Sequence, residues 1–431
     1  MEKMNKTIIT ALPIGEFDTD QSRSDFEAII RVFNCLEVDL VVADPVPDEE
    51  GVRQSVQKLS ERNPDLFLII PLRGLSAQAI EKAGRMSHAP CLIWPVQGRF
   101  ALSSSTLAIG ALQESGIPIE LFYAPPDHPT SVEKIRCIKR AAKAYSRIRQ
   151  SRIGVIGDLF PNLVSCRYKP QTVSSRLGTT ILPISFKEMR ESIQFTARHI
   201  HEIEQSRQEI TSFYALNAAD MNALDAGIKL HLVLKHIAQE LKIDGFAVEC
   251  WTGFPRELGL NPCMGFIDGA YTLACEGDVM LCISLLIVRY LTGKNAYVGD
   301  LYDLDLDGIL TLVHCGAPAS LTSNKREVVL AKSQLALERG FETLTCRPRL
   351  NTGLVTLFRF YGEDCDKMHL AFGELLSSEQ SPNLTVKIRI NGNRWDFLQQ
   401  CFGNHYLVAE GDIRDELKLL GRWLGITIFD Q

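Results

Sequence analysis

The feature that most constrains the fold is an alternation of short apolar runs and helical patterns in the first third of the chain. The apolar runs cover 8–13, 40–43, 66–71, 91–95 and 119–123, and the helical patterns between them cover 22–36, 50–62, 75–86 and 104–115. Strands that are buried on both faces of a sheet are continuously rich in Val, Ile and Leu. This order therefore predicts a parallel sheet with crossover helices, followed by a basic amphipathic helix over 131–150.

The rest of the chain divides into a second α/β region and a β-rich region. Strand patterns at 152–157, 179–184, 245–249, 296–300 and 309–314 alternate with a helical stretch over 185–242, which includes a long helix at 216–241, and with an apolar helix near 276–292. From 322 onward, short alternating runs separated by Gly, Asn and Asp predict an antiparallel β domain, a small barrel, and a closing helix at 412–424. We therefore expect an α/β protein with two Rossmann-like domains, 1–150 and 151–321, and a mainly antiparallel β-barrel-like domain, 322–431.

Composition excludes several classes of protein. The net charge is −6, whereas binding to a nucleic-acid backbone requires a basic face. The longest apolar stretch, 279–288, is shorter than the roughly 20 residues that cross a bilayer, and the first residues lack the pattern of a signal peptide. Twelve cysteines are scattered without a CxxC pair, which indicates reduced thiols and a cytoplasmic protein.

Common catalytic motifs are absent, so candidate residues come from polar side chains at unusual places. The sequence has no P-loop, dinucleotide-binding, HExxH or GxSxG signature. Glu276 opens an apolar helix, Asp300 and His314 end predicted strands, and Asn404-His405 lies in the last β segment. Each has an ordinary structural explanation: a helix cap, a loop residue, a satisfied core histidine or a hairpin turn. Asp278 is interpreted as a simple partner of the helix dipole.

Taken together, these residues suggest a metal site. Two carboxylates and an imidazole provide the mixed oxygen and nitrogen donors that suit Mn²⁺ or another divalent ion, with positions left for two substrate oxygens. Carboxylates beside the ion can also move protons.

The same segments carry a resemblance to a known family. ACEGDV (274–279), YLTGKNAYVGD (290–300) and GNHYLVAEGD (403–412), with DGFAVECW (244–251), LNPCMGFIDG (260–269) and LVHCG (312–316), are similar in order and spacing to the L-fucose isomerases. IWPVQG (93–98), ESGIPIELF (114–122), SRIGVIGD (151–158) and SSRLGTTILPISFKEM (174–189) extend the similarity along nearly the whole chain. The family, with the related L-arabinose isomerases, interconverts aldoses and ketoses.

The resemblance implies roles for particular residues. The metal ligands of the family correspond to Glu276, Asp300 and His405, and the first two also correspond to its acid/base pair. The sugar pocket corresponds to the segments around Glu249-Cys250-Trp251, His314-Cys315 and Asn404. In the arabinose branch a further His ligand stands near the place of His314, which makes that residue either a substrate contact or a fourth ligand. The family's architecture implies a homo-oligomer, a trimer or a hexamer, in which a neighbouring subunit closes the pocket.

Departures from the fucose enzymes bear on the substrate. Glu249 stands where that enzyme has a glutamine, His314-Cys315 stands where it has Asn-Ser, and the chain is shorter. We therefore expect an aldose other than L-fucose, with a sulfonated or otherwise acidic sugar among the options. Arg73, Arg99 and Arg256 are candidates for binding an anionic group, although each also fits an ordinary surface arginine.

The expected chemistry is transfer of a proton between C2 and C1 of a sugar through an enediol, with Glu276 and Asp300 as acid and base. The sequence leaves open which of the two carboxylates takes the proton. An epimerase or lyase on the same scaffold remains a second possibility, and a non-catalytic sugar-binding protein remains a third.

Overall fold

The structure is a computed structural model that describes residues 6–196, 200–214, 216, 220–267, 269, 271–338 and 340–431. The chain forms two compact units. The first unit contains residues 6–147 and Asp415–Ile426, and the second contains Ile148–Arg414 and Thr427–Gln431. Within the described residues, no helix is both long and apolar enough to cross a membrane.

The first unit has a five-stranded parallel sheet with the strand order β2-β1-β3-β4-β5. Its elements are β1 (Thr7–Ile14), α1 (Asp20–Asn34), β2 (Val38–Val42), α2 (Glu49–Ser60), β3 (Leu66–Pro71), α3 (Ala77–Met86), β4 (Cys91–Ile93), α4 (Ala101–Glu114), β5 (Ile119–Leu121) and α5 (Pro129–Gln150). Every residue of β3 and β4 is buried, because helices cover both faces of a parallel sheet. The predicted α/β architecture of this region is confirmed.

The second unit begins with a four-stranded parallel sheet of order β7-β6-β8-β9. Its elements are β6 (Arg152–Ile156), α6 (Pro170–Leu177), β7 (Thr180–Ile184), α7 (Phe186–Thr196), α8 (Ile200–Phe213), α9 (Met221–Leu241), β8 (Gly245–Val248), α10 (Gly253–Leu258), β9 (Thr272–Ala274) and α11 (Val279–Thr292). The helix predicted over 216–241 thus begins at Met221, and positions 217–219 lie outside the described residues.

A closed barrel of six antiparallel strands follows in the same unit, in the cyclic order β10-β11-β16-β15-β14-β17. The elements from here to the end of the chain are β10 (Tyr297–Leu304), β11 (Ile309–His314), β12 (Val328–Lys332), α12 (Gln334–Leu337), β13 (Leu344–Pro348), β14 (Gly353–Tyr361), β15 (Lys367–Glu379), β16 (Leu384–Ile390), α13 (Arg394–Gln400), β17 (His405–Glu410), α14 (Arg414–Trp423) and β18 (Thr427–Asp430). The predicted small barrel is confirmed.

The barrel contains two strands that the sequence analysis predicts in the second α/β region. The runs at 296–300 and 309–314 become β10 and β11, and both pair antiparallel with barrel strands. Asp300 and His314 therefore do not end strands of a parallel sheet, and that expectation was wrong. The physical reason is that β10 and β11 are joined by a tight turn, and a turn of that length can only connect antiparallel neighbours.

The apolar helix α11 brings the two parts of the second unit together. It packs against β8 and β9 of the parallel sheet and against β14 and β17 of the barrel. Nearly all of its residues are buried, as expected of a helix that is apolar on every side. Its N-terminus therefore lies where both layers can supply polar side chains.

Candidate active site

Glu276 lies in a strained turn between β9 and α11. Its φ is +60° and that of Gly277 is +73°, and a non-glycine residue in this region costs about 1–3 kcal/mol. Three backbone groups hold the turn: Glu276 N donates to Cys250 Sγ at 3.2 Å, Phe160 N donates to Glu276 O at 2.8 Å, and Gly277 N donates to Val248 O at 2.9 Å. The surrounding loops thus fix the backbone of Glu276.

Asp300 and His405 are brought together by strand register. They sit directly opposite each other in the antiparallel pair of β10 and β17, where side chains on one face lie close. His405 Nε2 is 3.5 Å from Asp300 Oδ1 and 3.8 Å from Glu276 Oε2. The three side chains that the resemblance singles out therefore converge, although His405 is far from Glu276 in sequence.

A buried carboxylate orients the imidazole. Asp278 Oδ2 lies 3.2 Å from His405 Nδ1 and 2.8 Å from Arg359 Nη2, and Asp278 Oδ1 accepts from Leu281 N at 2.9 Å. Because an ionised carboxylate can only accept hydrogen bonds, Nδ1 carries the proton and Nε2 faces Glu276 and Asp300. The sequence interpretation of Asp278 as a simple helix-dipole partner is thus too narrow.

The charges around this network shift two carboxyl groups in opposite directions. Burial raises the pKa of Glu276 above its ordinary value, His405 opposes the shift, and the nearby charge of Asp300 adds to it. Burial also tends to raise the pKa of Asp278, but the charge of Arg359 and the hydrogen bond with His405 outweigh it and hold that pKa well below its usual range. Glu276 is consequently the more readily protonated carboxyl group, while Asp278 stays ionised.

The chemical types of the donors, two carboxylates and an imidazole nitrogen, suit a divalent ion. Ligand atoms that each lie about 2.0–2.2 Å from one ion are about 3–4 Å apart, which matches the separations of His405 Nε2 from the two carboxylates. A metal-binding histidine usually donates the N–H of its other ring nitrogen to a carboxylate or a carbonyl. At His405 that nitrogen is Nδ1, and the carboxylate is Asp278. Within the described ranges, however, no group of three or more His, Cys, Asp and Glu side chains is arranged to hold an ion as it stands.

Glu249 and Trp251 lie in the loop that follows β8. Glu249 is buried, its Oε2 accepts from Asp158 N at 2.8 Å, and its Oε1 accepts from Thr252 Oγ1 at 2.5 Å. Trp251 is half-buried and packs edge-on against Phe160. Both residues thus border the loop that holds Glu276, and the carboxylate of Glu249 already braces that loop.

His314, Cys315 and Asn404 surround the convergence point from the barrel side. His314 is buried, and its Nδ1 donates to Gly316 O at 2.7 Å. Asn404 Nδ2 donates to Asp300 Oδ1 at 2.5 Å and so positions that carboxylate. Burial disfavours the charged form of His314, but the neighbouring Cys315 and Asp300 raise the pKa of this imidazole above its ordinary value.

The three arginines proposed for an anionic group are all exposed. Arg73 lies 3.8 Å from Glu16 and Arg99 pairs with Asp18, both in the first unit. Arg256 belongs to α10 in the second unit, where its Nε donates to Glu257 Oε1 at 3.0 Å and the charges of Glu249 and Asp158 act on it. Arg256 is thus the one of these three that lies in the same unit as Glu276.

Sequence reasoning missed Arg359 and the loop that follows β6. Arg359 is fully buried on β14, donates to Asp278 and, through Nη1, to His405 O at 3.2 Å. The available signal was a lone arginine inside the apolar run LVTLFRFY, since a charge in a buried strand needs a partner. The β6 loop reaches Glu276 through Phe160, a contact for which the sequence gives no signal.

Comparisons with known proteins add a functional direction. The search against family models found no match. The chain is 26% identical to the sulfoquinovose isomerases of Priestia aryabhattai and Priestia megaterium over 358 residues, which cover 78% of this chain and 79% of each relative. It is 22% identical to the sulfoquinovose isomerase of Clostridium sp. (strain MSTE9) over 340 residues, 73% of this chain and 74% of that relative. The chain is therefore similar over most of its length to isomerases of a sulfonated sugar.

Proposed function

We propose that this protein is an aldose–ketose isomerase that converts a sulfonated aldose, sulfoquinovose or a close analogue, into the corresponding ketose. The observation that carries the proposal is the position of His405 Nε2, which lies 3.8 Å from Glu276 Oε2 and 3.5 Å from Asp300 Oδ1. The similarity to sulfoquinovose isomerases supports both the reaction and the substrate class.

The two carboxylates supply the proton transfer. One of them takes the proton from C2 of the open-chain sugar, and the other returns a proton to C1 from across the enediol plane. The burial that raises the pKa of Glu276 brings its proton affinity nearer to neutral pH, where general acid/base groups work best. Asn404 positions Asp300, and the Asp278–Arg359 pair positions His405.

We propose Mn²⁺, or another divalent metal, as the cofactor, with Glu276, Asp300 and His405 as its ligands. When bound, such an ion polarises the sugar carbonyl and stabilises negative charge on the neighbouring oxygens. His405 contributes through Nε2 because Nδ1 is engaged by Asp278. His314, whose charge acts on the same two carboxylates, is assigned to the substrate.

Arg256 is our candidate for the sulfonate. A guanidinium donates several hydrogen bonds in a planar array that suits tetrahedral anions, and the side chain of Arg256 is 66% exposed. In the described part of the chain, the one acidic residue that forms an ion pair with Arg256 is its neighbour Glu257. Most of the N–H donors of the guanidinium therefore remain available to a ligand.

The assembly and location follow the same proposal. The resemblance to the L-fucose isomerases suggests a homo-oligomer, a trimer or a hexamer, which size-exclusion chromatography with light scattering measures directly. A cytoplasmic location is in keeping with the twelve cysteines, all of which are free thiols in the structure.

An aldose panel tests the function. Purified protein is incubated with neutral and sulfonated aldoses, with Mn²⁺ and with a chelator, and products are identified by NMR. We expect a ketose from the sulfonated aldose in the presence of Mn²⁺ only. A new aldose epimer or a cleavage product would instead favour an epimerase or a lyase, and no reaction with metal-loaded protein would favour a sugar-binding protein.

A further inference from the structure

The carboxylate of Glu249 is enclosed between two loops, and the proposed reaction gives it no task. Glu249 directly follows β8 and is 7% exposed. A Cβ added to Gly157 would lie 2.3 Å from Glu249 Oε2, and one added to Gly253 would lie 2.6 Å from the same atom. The two glycines therefore let the backbone close around this oxygen, and a charge buried in this way needs hydrogen-bond partners.

Both oxygens of this carboxylate accept hydrogen bonds from the protein itself. Oε2 accepts from Asp158 N at 2.8 Å, and Oε1 accepts from Thr252 Oγ1 at 2.5 Å. Asp158 belongs to the β6 loop, defined as residues 157–169 between β6 and α6. A hydrogen bond to an ionised acceptor is roughly twice as strong as one between neutral groups. The carboxylate of Glu249 therefore fastens the start of the β6 loop to the end of β8.

The fastened part of the β6 loop, segment 158–160, lies directly against the turn of Glu276. Phe160 N donates to Glu276 O at 2.8 Å. A Cβ added to Gly277 would lie 2.3 Å from Asp158 O, so the segment and the turn are in close backbone contact. Because Glu276 has a φ of +60°, its backbone keeps this conformation only while the surrounding structure holds it.

We propose that Glu249 is a positioning residue for Glu276, that it acts through segment 158–160 of the β6 loop, and that it does not contact the sugar. The contacts run from Glu249 Oε2 to Asp158 N, along the chain to Phe160 N, and from there to Glu276 O. Loss of the first contact releases the segment and with it the turn. A misplacement of about 1 Å at a reacting group can cost about a hundredfold in rate.

Two substitutions of Glu249 separate positioning from sugar binding. E249L removes both acceptors. In E249Q the amide oxygen can still accept from Asp158 N, and the amide NH₂ can donate to Thr252, whose hydroxyl both donates and accepts. We expect kcat for a sulfonated aldose to fall about tenfold to a hundredfold in E249L and to return to within about threefold of wild type in E249Q, with KM changed by less than about twofold in both.

A sugar contact predicts a different pattern. Loss of a group that binds the substrate in the ground state raises KM, and the Gln variant would share that loss because it lacks the charge. A KM that rises in both variants while kcat stays at the wild-type value therefore overturns the proposal. The kinetic part rests on the proposed function, whereas the hold of Glu249 on the β6 loop does not.

Hydrogen exchange resolved to single amides tests that hold without reference to activity. In wild-type protein the amides of Asp158 and Phe160 should exchange slowly, since both are hydrogen-bonded. E249L should lose protection at both amides about tenfold or more, and E249Q should keep it. Rapid exchange of both amides in wild type, or wild-type protection in E249L, overturns the proposal. The wild-type measurement and E249Q decide the matter even if E249L does not fold.

E416L is the matched control, because Glu416 is also 7% exposed and lies in the first unit. It should leave kcat, KM and the exchange of segment 158–160 unchanged. An equal loss of turnover in E416L and E249L would show that removal of any buried glutamate is enough, and it would overturn the positioning role. Wild-type protein that isomerises no sugar, with segment 158–160 protected in wild type and released in E249L, would count against the proposed function alone.

Discussion

Replacing Arg359 with Met should destabilise the second unit severely. The side chains of Arg359 and Asp278 are both 0% exposed, and Nη2 lies 2.8 Å from Oδ2. Removal of one partner of such a pair leaves a buried charge without compensation, which costs about 3–5 kcal/mol. Solvent does not screen this pair, because both side chains are fully buried. A cost of about 3–5 kcal/mol is a large part of the roughly 5–15 kcal/mol that stabilises a typical protein.

Hydrogen exchange is the appropriate assay because a chain with two compact units need not unfold in one step. Backbone amides of β14 and β17 should lose protection by about two to four orders of magnitude in R359M, since about 1.4 kcal/mol corresponds to a factor of ten. The double variant R359M/D278N removes the stranded charge and should recover part of this loss. The control R389M removes an exposed barrel arginine 3.9 Å from Glu374 and should change little.

The ion pair of Arg359 and Asp278 also determines how stability depends on pH in the acid range. The pKa of Asp278 is lowered in the folded protein, so its contribution is fully present above the unfolded-state pKa and is lost only as pH falls through the lower folded-state pKa. In R359M the charge that opposes burial is gone, so the pKa of Asp278 should rise, and protonation of the stranded carboxylate at acid pH should relieve part of the destabilisation, as D278N does. Wild-type protection in R359M, or a loss of protection that grows toward acid pH as it does in wild type, would refute this reasoning.

Three further substitutions test the site. G277A should lower the free energy of unfolding by about 1–3 kcal/mol, because the new Cβ would lie 2.3 Å from Asp158 O and the residue has a φ of +73°. Thermal melting measures the loss of stability, and an unchanged melting temperature would contradict the prediction. E276G should relieve the left-handed strain, leaving stability equal or about 1 kcal/mol higher while isomerase activity disappears; retained turnover argues against a catalytic Glu276. R256M should raise KM for a sulfonated aldose about tenfold or more, as expected for loss of a charged hydrogen-bonding group. The KM for a neutral aldose should not change, and steady-state kinetics with both sugars measures the difference. Equal effects on the two sugars would count against a sulfonate contact.

The sequence predicts the architecture well because local patterns determine it. Continuous apolar runs separated by helices specify the parallel sheets, and alternating runs after position 322 specify the barrel. The assignment of β10 and β11 failed because each run alone fits either kind of sheet, and partner choice depends on distant strands such as β16 and β17.

The sequence predicts the residues of the candidate site but not the neighbouring residues that hold them in position. Glu276, Asp300 and His405 could be selected from motif order, and their convergence follows from register and from the position of α11. The pairing of Asp278 with Arg359 joins residues 81 positions apart in sequence, and no periodicity specifies such a contact.

The most direct test of the central claim is an NMR time course of sulfoquinovose with Mn²⁺-loaded protein, run in parallel on wild type and E276Q. If Glu276, Asp300 and His405 form the reaction centre, wild type accumulates the sulfonated ketose and E276Q, folded and of the same oligomeric state, forms it at least a hundredfold more slowly. Comparable rates for the two proteins would contradict the assignment of the reaction to this site.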